Sequence, residues 1–284
     1  MTVIAFIGSV FSPYYASARR RGRADAINHC AFNVALYGAR ASRWAMTERG
    51  SGQVERHATM LRVGPSSARW TGSALEMDID EICAPLPRRM RGTIRVHPES
   101  LHTDSFALDE PGLHRWTPYA PRARIEVRMK DPHLEWDGVG YFDHNAGAEP
   151  LEDAFEEWTW SRISLPDRTA VVFDTKPRAG GHRSLALQYR SGMEAESIEL
   201  KSQAALPGTL WGLARSTRCD DDARLVRTLV DAPFYSRSQL DIRIKGVYAP
   251  AIHESLSLKR FRSRWVQTLL PFRMPRIART ARPR

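Results

Sequence analysis

Long apolar runs are missing from this 284-residue sequence. The longest apolar opening, TVIAFIGSVF from Thr2 to Phe11, falls short of the roughly 18 residues that a membrane-spanning helix requires. It also lacks the basic leader of a signal peptide and reads as a buried strand. Cysteine is scarce: Cys30, Cys83 and Cys219, an odd number with no CxxC. That excludes a disulfide framework and a cysteine zinc site, and suits a reducing cytoplasm. Cys30 follows His29, but neighbours on a strand face opposite ways, so they make a poor thiol–imidazole pair. There is no glycine loop to cradle a phosphate, no metal-ligand spacing and no hydrolase-type nucleophile–base arrangement. Neither a cofactor nor a metal is therefore expected. Acidic residues are absent after Glu254.

That last absence organises the charge. Of the net +10, nine positive charges, from Lys259 to Arg284, follow Glu254, and the rest of the chain is close to neutral. Leu258, Phe261, Trp265, Leu269, Leu270 and Phe272 interleave with them. Two readings of residues 255–284 fit: an amphipathic basic tail that docks on an anionic membrane surface, or a solvated tail. No nucleic-acid motif accompanies the charge, and nucleic acid is not expected as a partner.

The composition, 42% apolar, is that of a globular protein. Alternating segments dominate: GTIRVH (92–97), ARIEVRM (123–129), TAVVFDT (169–175), SLALQYR (184–190) and LDIRIKGVY (240–248). Period two marks half-buried strands, and turn clusters such as VGPSSA, KDP and PRAGGH separate them. An all-β, antiparallel barrel or sandwich is expected. Two helices are expected, in SPYYASARRRGR and in SLKRFRSRWVQTLL, and PLEDAFEEWTWSR should turn once before becoming a strand. Pro132 suggests a boundary, giving domains at 1–131 and 132–254 followed by the tail at 255–284.

Four side chains near that boundary can do chemistry. LHRWTPY sets His114 and Trp116 two apart, and GYFDH does the same with Tyr141 and Asp143. On strands, each pair shares a face. If the faces meet, one carboxyl and one imidazole share a pocket with an indole and a phenol. An apolar pocket keeps an acid protonated, and aromatic faces stabilise a cation. That set suits protonation of a carbon–carbon double bond followed by capture of the cation by water. The bland readings are an Asx-turn at Asp143, a surface His114, core packing for Trp116 and Tyr141, and turn positions for His144 and Asn145.

The segments FIGSVFSPYYASARRRGRADAINHCAFNVALYG, RWAMTERG and GYFDHNAGAEPLEDAFEEWTWSR resemble the carotenoid 1,2-hydratase family, also called hydroxyneurosporene synthases. The resemblance runs from about Thr2 to about Tyr248. It implies two lipocalin-like β domains and cofactor-free hydration of the C1–C2 double bond of an acyclic carotenoid such as neurosporene or lycopene. The family pattern H-x-W and Y-x-D falls on His114, Trp116, Tyr141 and Asp143. Asp143 would then donate the proton to C2, Trp116 and Tyr141 would stabilise the cation at C1, and His114 would orient or deprotonate water. The implied location is cytoplasmic, peripheral to the photosynthetic membrane of a bacterium. Family members carry an aromatic-rich segment upstream of IAFIGSVFSPYY, so the first β domain is expected to be incomplete at its start. The alternatives are a non-catalytic carrier of an apolar ligand and a related polyene cyclase.

Overall fold

The computed structural model describes residues 1–38, 42–199, 201–244 and 246–277. Strands dominate from end to end. In chain order they begin with β1 (Thr2–Ile7), helix α1 (Pro13–Arg20), β2 (Cys30–Leu36), β3 (Arg43–Met46) and β4 (Glu48–Arg49). Then come β5 (Val54–His57), β6 (Met60–Val63), β7 (Ser66–Trp70), β8 (Leu75–Ile82), β9 (Arg89–Pro98) and β10 (Phe106–Ala107). Two long strands follow, β11 (His114–Asp131) and β12 (Leu134–Gly147), with a single helical turn, α2 (Leu151–Ala154). The second half holds β13 (Phe155–Ser164), β14 (Arg168–Pro177), β15 (Arg183–Arg190), β16 (Glu196–Ser197), β17 (Ser202–Leu206) and β18 (Arg215–Cys219). It ends with β19 (Ala223–Asp231), β20 (Tyr235–Ile244), β21 (Val247–Ser257), α3 (Leu258–Phe261), α4 (Arg264–Arg273) and β22 (Arg276–Ile277).

The all-β, antiparallel expectation holds; among the described pairings, β22 runs parallel to β4. Local chemistry explains much of the layout. Ser12 accepts hydrogen bonds from the backbone of Tyr14 (3.1 Å) and Tyr15 (3.0 Å) and starts α1, with Pro13 at the first helical position. Burial alternates along β9 and β20, as their sequences require. β2, CAFNVAL, is buried on both faces and sits centrally between β1 on one side and β3 and β4 on the other. The segment LDIRIKGVY is not one strand. It is the end of β20 and the start of β21, which pair Ile244 with Val247 around a turn where Gly246 has φ +77°. The alternating pattern runs through that turn and hides it; Lys245 lies outside the described residues.

The chain divides into two compact units. Unit one holds residues 1–98, 123–140 and 267–284; unit two holds 99–122 and 141–266. The expected cut at 131/132 falls inside unit one, where Pro132 and His133 link β11 to its partner β12. The reading of residues 255–284 as a separate tail also gives way. Leu258, Phe261, Val266 and Met274 are buried, and Arg276 pairs with Glu48. The apolar residues in this segment fill core positions as well as an exposed face; Arg279, Arg282 and Arg284 lie outside the described residues. Among the described residues no helix is long and apolar enough to cross a membrane.

In unit two the sheet order is β16-β15-β14-β13-β21-β20-β19, with the β17–β18 hairpin beside it. One face carries Ser161, His253 and Ser255, and Ser161 also meets Thr217 of β18. Burial, with Arg215 nearby, pushes His253 down to about 3, so this buried ring is neutral and structural. The opposite face carries Trp158, Trp160 and Arg162 of β13, with Phe173 of β14 and Glu254 of β21 paired across from Trp160. The candidate site is built on that face.

Candidate active site

β11 puts His114 and Trp116 on one side, and both are buried. β12 brings Tyr141 and Asp143 to the same region, mid-strand rather than in a turn. The Trp116 indole Nε1–H donates to Asp143 Oδ2 at 2.8 Å and reaches the Tyr141 hydroxyl at 3.1 Å. The Tyr141 hydroxyl donates to the same Oδ2 at 3.0 Å. Three of the four expected residues therefore form one hydrogen-bonded triangle.

Both donors sit on Oδ2, which acts as the carbonyl-type oxygen, so a proton on this acid belongs on Oδ1. Burial pushes the Asp143 carboxyl up to about 6. The bonds from Trp116 and Tyr141 pull the other way, Glu254 adds a further push upward, and Arg237 opposes it. Asp143 retains partial solvent exposure. Burial, then the neighbouring carboxyl, push Tyr141 well above its ordinary range, so it stays a phenol and a donor.

Aromatic rings surround the triangle. Trp116 lies 5.4 Å from Phe173 and 5.8 Å from Phe106, and Tyr141 lies 5.4 Å from Trp160. Trp158 meets Phe173 edge-on at 5.5 Å. The Arg162 guanidinium stands 5.6 Å from the centre of the Tyr141 ring. Its charge opposes a cation at that ring. Trp160, Arg162, Phe173 and Glu254 were not picked out as site residues from the sequence. On β13 the period of two puts Trp158, Trp160 and Arg162 on one face, and folding brings that face to Tyr141.

His114 does not join the triangle. Its Nδ1 contacts Asp109 Oδ2 at 2.8 Å, its Nε2 contacts the Glu149 carbonyl at 3.2 Å, and its backbone N–H donates to Asp109 Oδ1 at 3.1 Å. Both ring nitrogens face acceptors, so neither turns a lone pair towards the cage. Burial pushes Asp109 up, but the bonds from His114 outweigh it and hold that carboxyl below its usual range. Gly147 makes this close packing possible, since a Cβ there would lie 2.8 Å from His114 Cδ2. Asp109, His114 and exposed Glu149 bring three ligand-type atoms within 4.8 Å. Asp109 and His114 are bonded directly to each other at 2.8 Å. His144 and Asn145 are exposed positions on β12.

The chain matches the family described as carotenoid hydratase CrtC over residues 3–282. It belongs to that family. A CrtC relative named acyclic carotenoid 1,2-hydratase, from Thiocapsa roseopersicina, is 49% identical, over 98% of this chain and 69% of that protein. Its namesake from Rubrivivax gelatinosus is 42% identical, over 98% of this chain and 70% of that one. The one from Cereibacter sphaeroides is 38% identical, over 96% and 98% respectively. A crystal structure of an AttH-type protein from Nitrosomonas europaea superposes with a TM-score of 0.46 at 10% identity, covering 81% of this chain and 85% of that one.

Proposed function

We propose that this carotenoid hydratase family member adds water across the C1–C2 double bond of an acyclic carotenoid, and that Asp143 starts the reaction as an un-ionised acid. The observation that supports this most directly is the Asp143 carboxyl itself. It is raised to about 6, with both donors on Oδ2 and rings on several sides. The proton on Oδ1 passes to C2, and the electron pair of the double bond forms the new C–H bond. The positive charge is left on C1, the more substituted carbon. Trp116, Tyr141 and their ring neighbours stabilise that charge, by about 0.5–2 kcal/mol per well-placed face. Water attacks C1, and its surplus proton returns to the Asp143 carboxylate, which regenerates the acid. His114, with both nitrogens engaged, positions the start of β11 and the 147–149 segment instead of handling water.

The direct test is turnover. Lycopene or neurosporene in detergent micelles, incubated with the protein in heavy-oxygen water, should give a 1-hydroxy product carrying the label at the tertiary carbon. A cyclised product of unchanged mass would replace hydration with cyclisation. Binding without any product would leave only a carrier.

The protonated acid is the active form, so activity should be full well below pH 6, about half at that pH, and fall about tenfold per pH unit well above it. Glu254 raises Asp143, so Glu254→Gln lowers it and moves that alkaline limb towards lower pH. Arg237, which pairs with Glu254, then lies uncompensated and pushes in the same direction. A kcat/KM profile of the variant that coincides with the wild-type profile would remove Glu254 from the site's electrostatics.

A further inference from the structure

We infer that the turn between β17 and β18, together with Trp265, forms a docking surface for an anionic lipid bilayer. Leu210 is 99% exposed, and beside it Trp211 and Trp265, each about half exposed (48% and 49%), stack with ring centres 6.0 Å apart and planes 26° from parallel. A cluster of one fully exposed leucine and two indoles is unfavourable in water unless something covers it.

The turn is built to hold this exposure. Gly212 N–H donates to Thr209 O at 2.9 Å, Leu213 N–H to Thr209 Oγ1 at 3.1 Å, and Leu210 N–H to Asp231 Oδ2 at 2.8 Å. Gly212 takes φ +66°, and Leu213 is buried as the anchor. Arg260 clamps the tip from below, donating to the carbonyls of Trp211 and Gly212, each at 2.7 Å. Leu210 and Trp211 are thus held outward by a fixed frame.

Charge selects the occupant. Lys259, Arg262 and Arg264 are exposed on the 258–265 segment that leads into Trp265, and Arg262 is paired with Asp153 at 3.7 Å. A second copy of the chain on the same patch would set these cations against their own kind. Anionic headgroups neutralise them while the leucine and indoles enter the interface. The surface differs from the expected free tail, because deleting residues 255–284 would remove buried Leu258, Phe261 and Val266 and with them part of the core. It is independent of the hydration chemistry.

The test is co-sedimentation of the full chain with vesicles of phosphatidylcholine alone and of phosphatidylcholine with phosphatidylglycerol. The wild type should partition to the anionic vesicles, more weakly at high salt, with a blue shift in tryptophan emission. Leu210→Ser alone should weaken binding several-fold, and the Leu210→Ser/Trp211→Ser/Trp265→Ser variant by roughly tenfold or more. Activity towards micellar substrate should persist in both, which shows that they fold. Equal binding by wild type and triple variant overturns the inference. So does absence of binding by the wild type, or a wild-type dimer in sedimentation velocity that the triple variant loses.

Discussion

Asp143→Asn should lower hydration by at least roughly 10³-fold, within the range expected for loss of a general acid, and should make the protein more stable at alkaline pH. Asparagine keeps an oxygen to accept from Trp116 and Tyr141 but has no proton to give. The stability effect follows from the carboxyl's position at about 6, against an ordinary value of 3.8. Folding makes this group hold its proton more tightly, so the native state binds more protons than the unfolded chain between those two values. Stability therefore falls as pH rises through that window. Below about pH 4 the wild type carries no penalty. Above about pH 6 the full cost applies, roughly 3 kcal/mol for that difference. Urea unfolding at pH 8 should show the variant more stable than wild type, and at pH 4 the two should coincide. An equal difference at both pH values would separate the carboxyl's ionisation from the fold; retained hydration would remove it from the chemistry.

Glu81→Ala should destabilise the protein by about 3–5 kcal/mol, the cost of leaving a buried charge without its partner. In unit one Arg49 and Glu81 are both buried, and the guanidinium donates to Glu81 at 3.1 and 2.8 Å while Ser66 Oγ donates at 2.7 Å. Burial pushes Glu81 up despite these bonds. Gly64, at φ +61°, leaves space for the arginine, since a Cβ there would lie 2.2 Å from Arg49 Nε. Replacing both partners, as in Arg49→Met/Glu81→Leu, should recover most of the loss, because apolar groups of similar volume need no charge partner. If the double variant is less stable than Glu81→Ala by urea midpoint, the pair is a net stabiliser and this account is wrong.

The segment RWAMTERG shows where reading by pattern stops. Glu48 and Arg49 are adjacent, acid beside base, and look like an exposed pair. On β4 they face opposite ways, and each is buried in a separate cluster: Glu48 with His29 and Arg276, Arg49 with Glu81. Their partners lie on other strands, so no local rule names them. The 255–277 segment is a similar case. Its amphipathic period was legible, but the same period serves a core-packed helix and a surface anchor, and only burial tells which residues do which.

By itself, the sequence determined the strand-rich character, the start of α1 at Ser12–Pro13, and the pairing of His114 with Trp116 and of Tyr141 with Asp143 on their strands. These depend on side-chain period and backbone capping, which act over a few residues. The tertiary structure decided that Trp116 and Tyr141 share one oxygen of Asp143, that His114 turns to Asp109 and Glu149, and that Glu254 sits close enough to raise the acid. Proton affinity and cation stabilisation depend on distances between groups far apart in the chain, and only folding sets those distances.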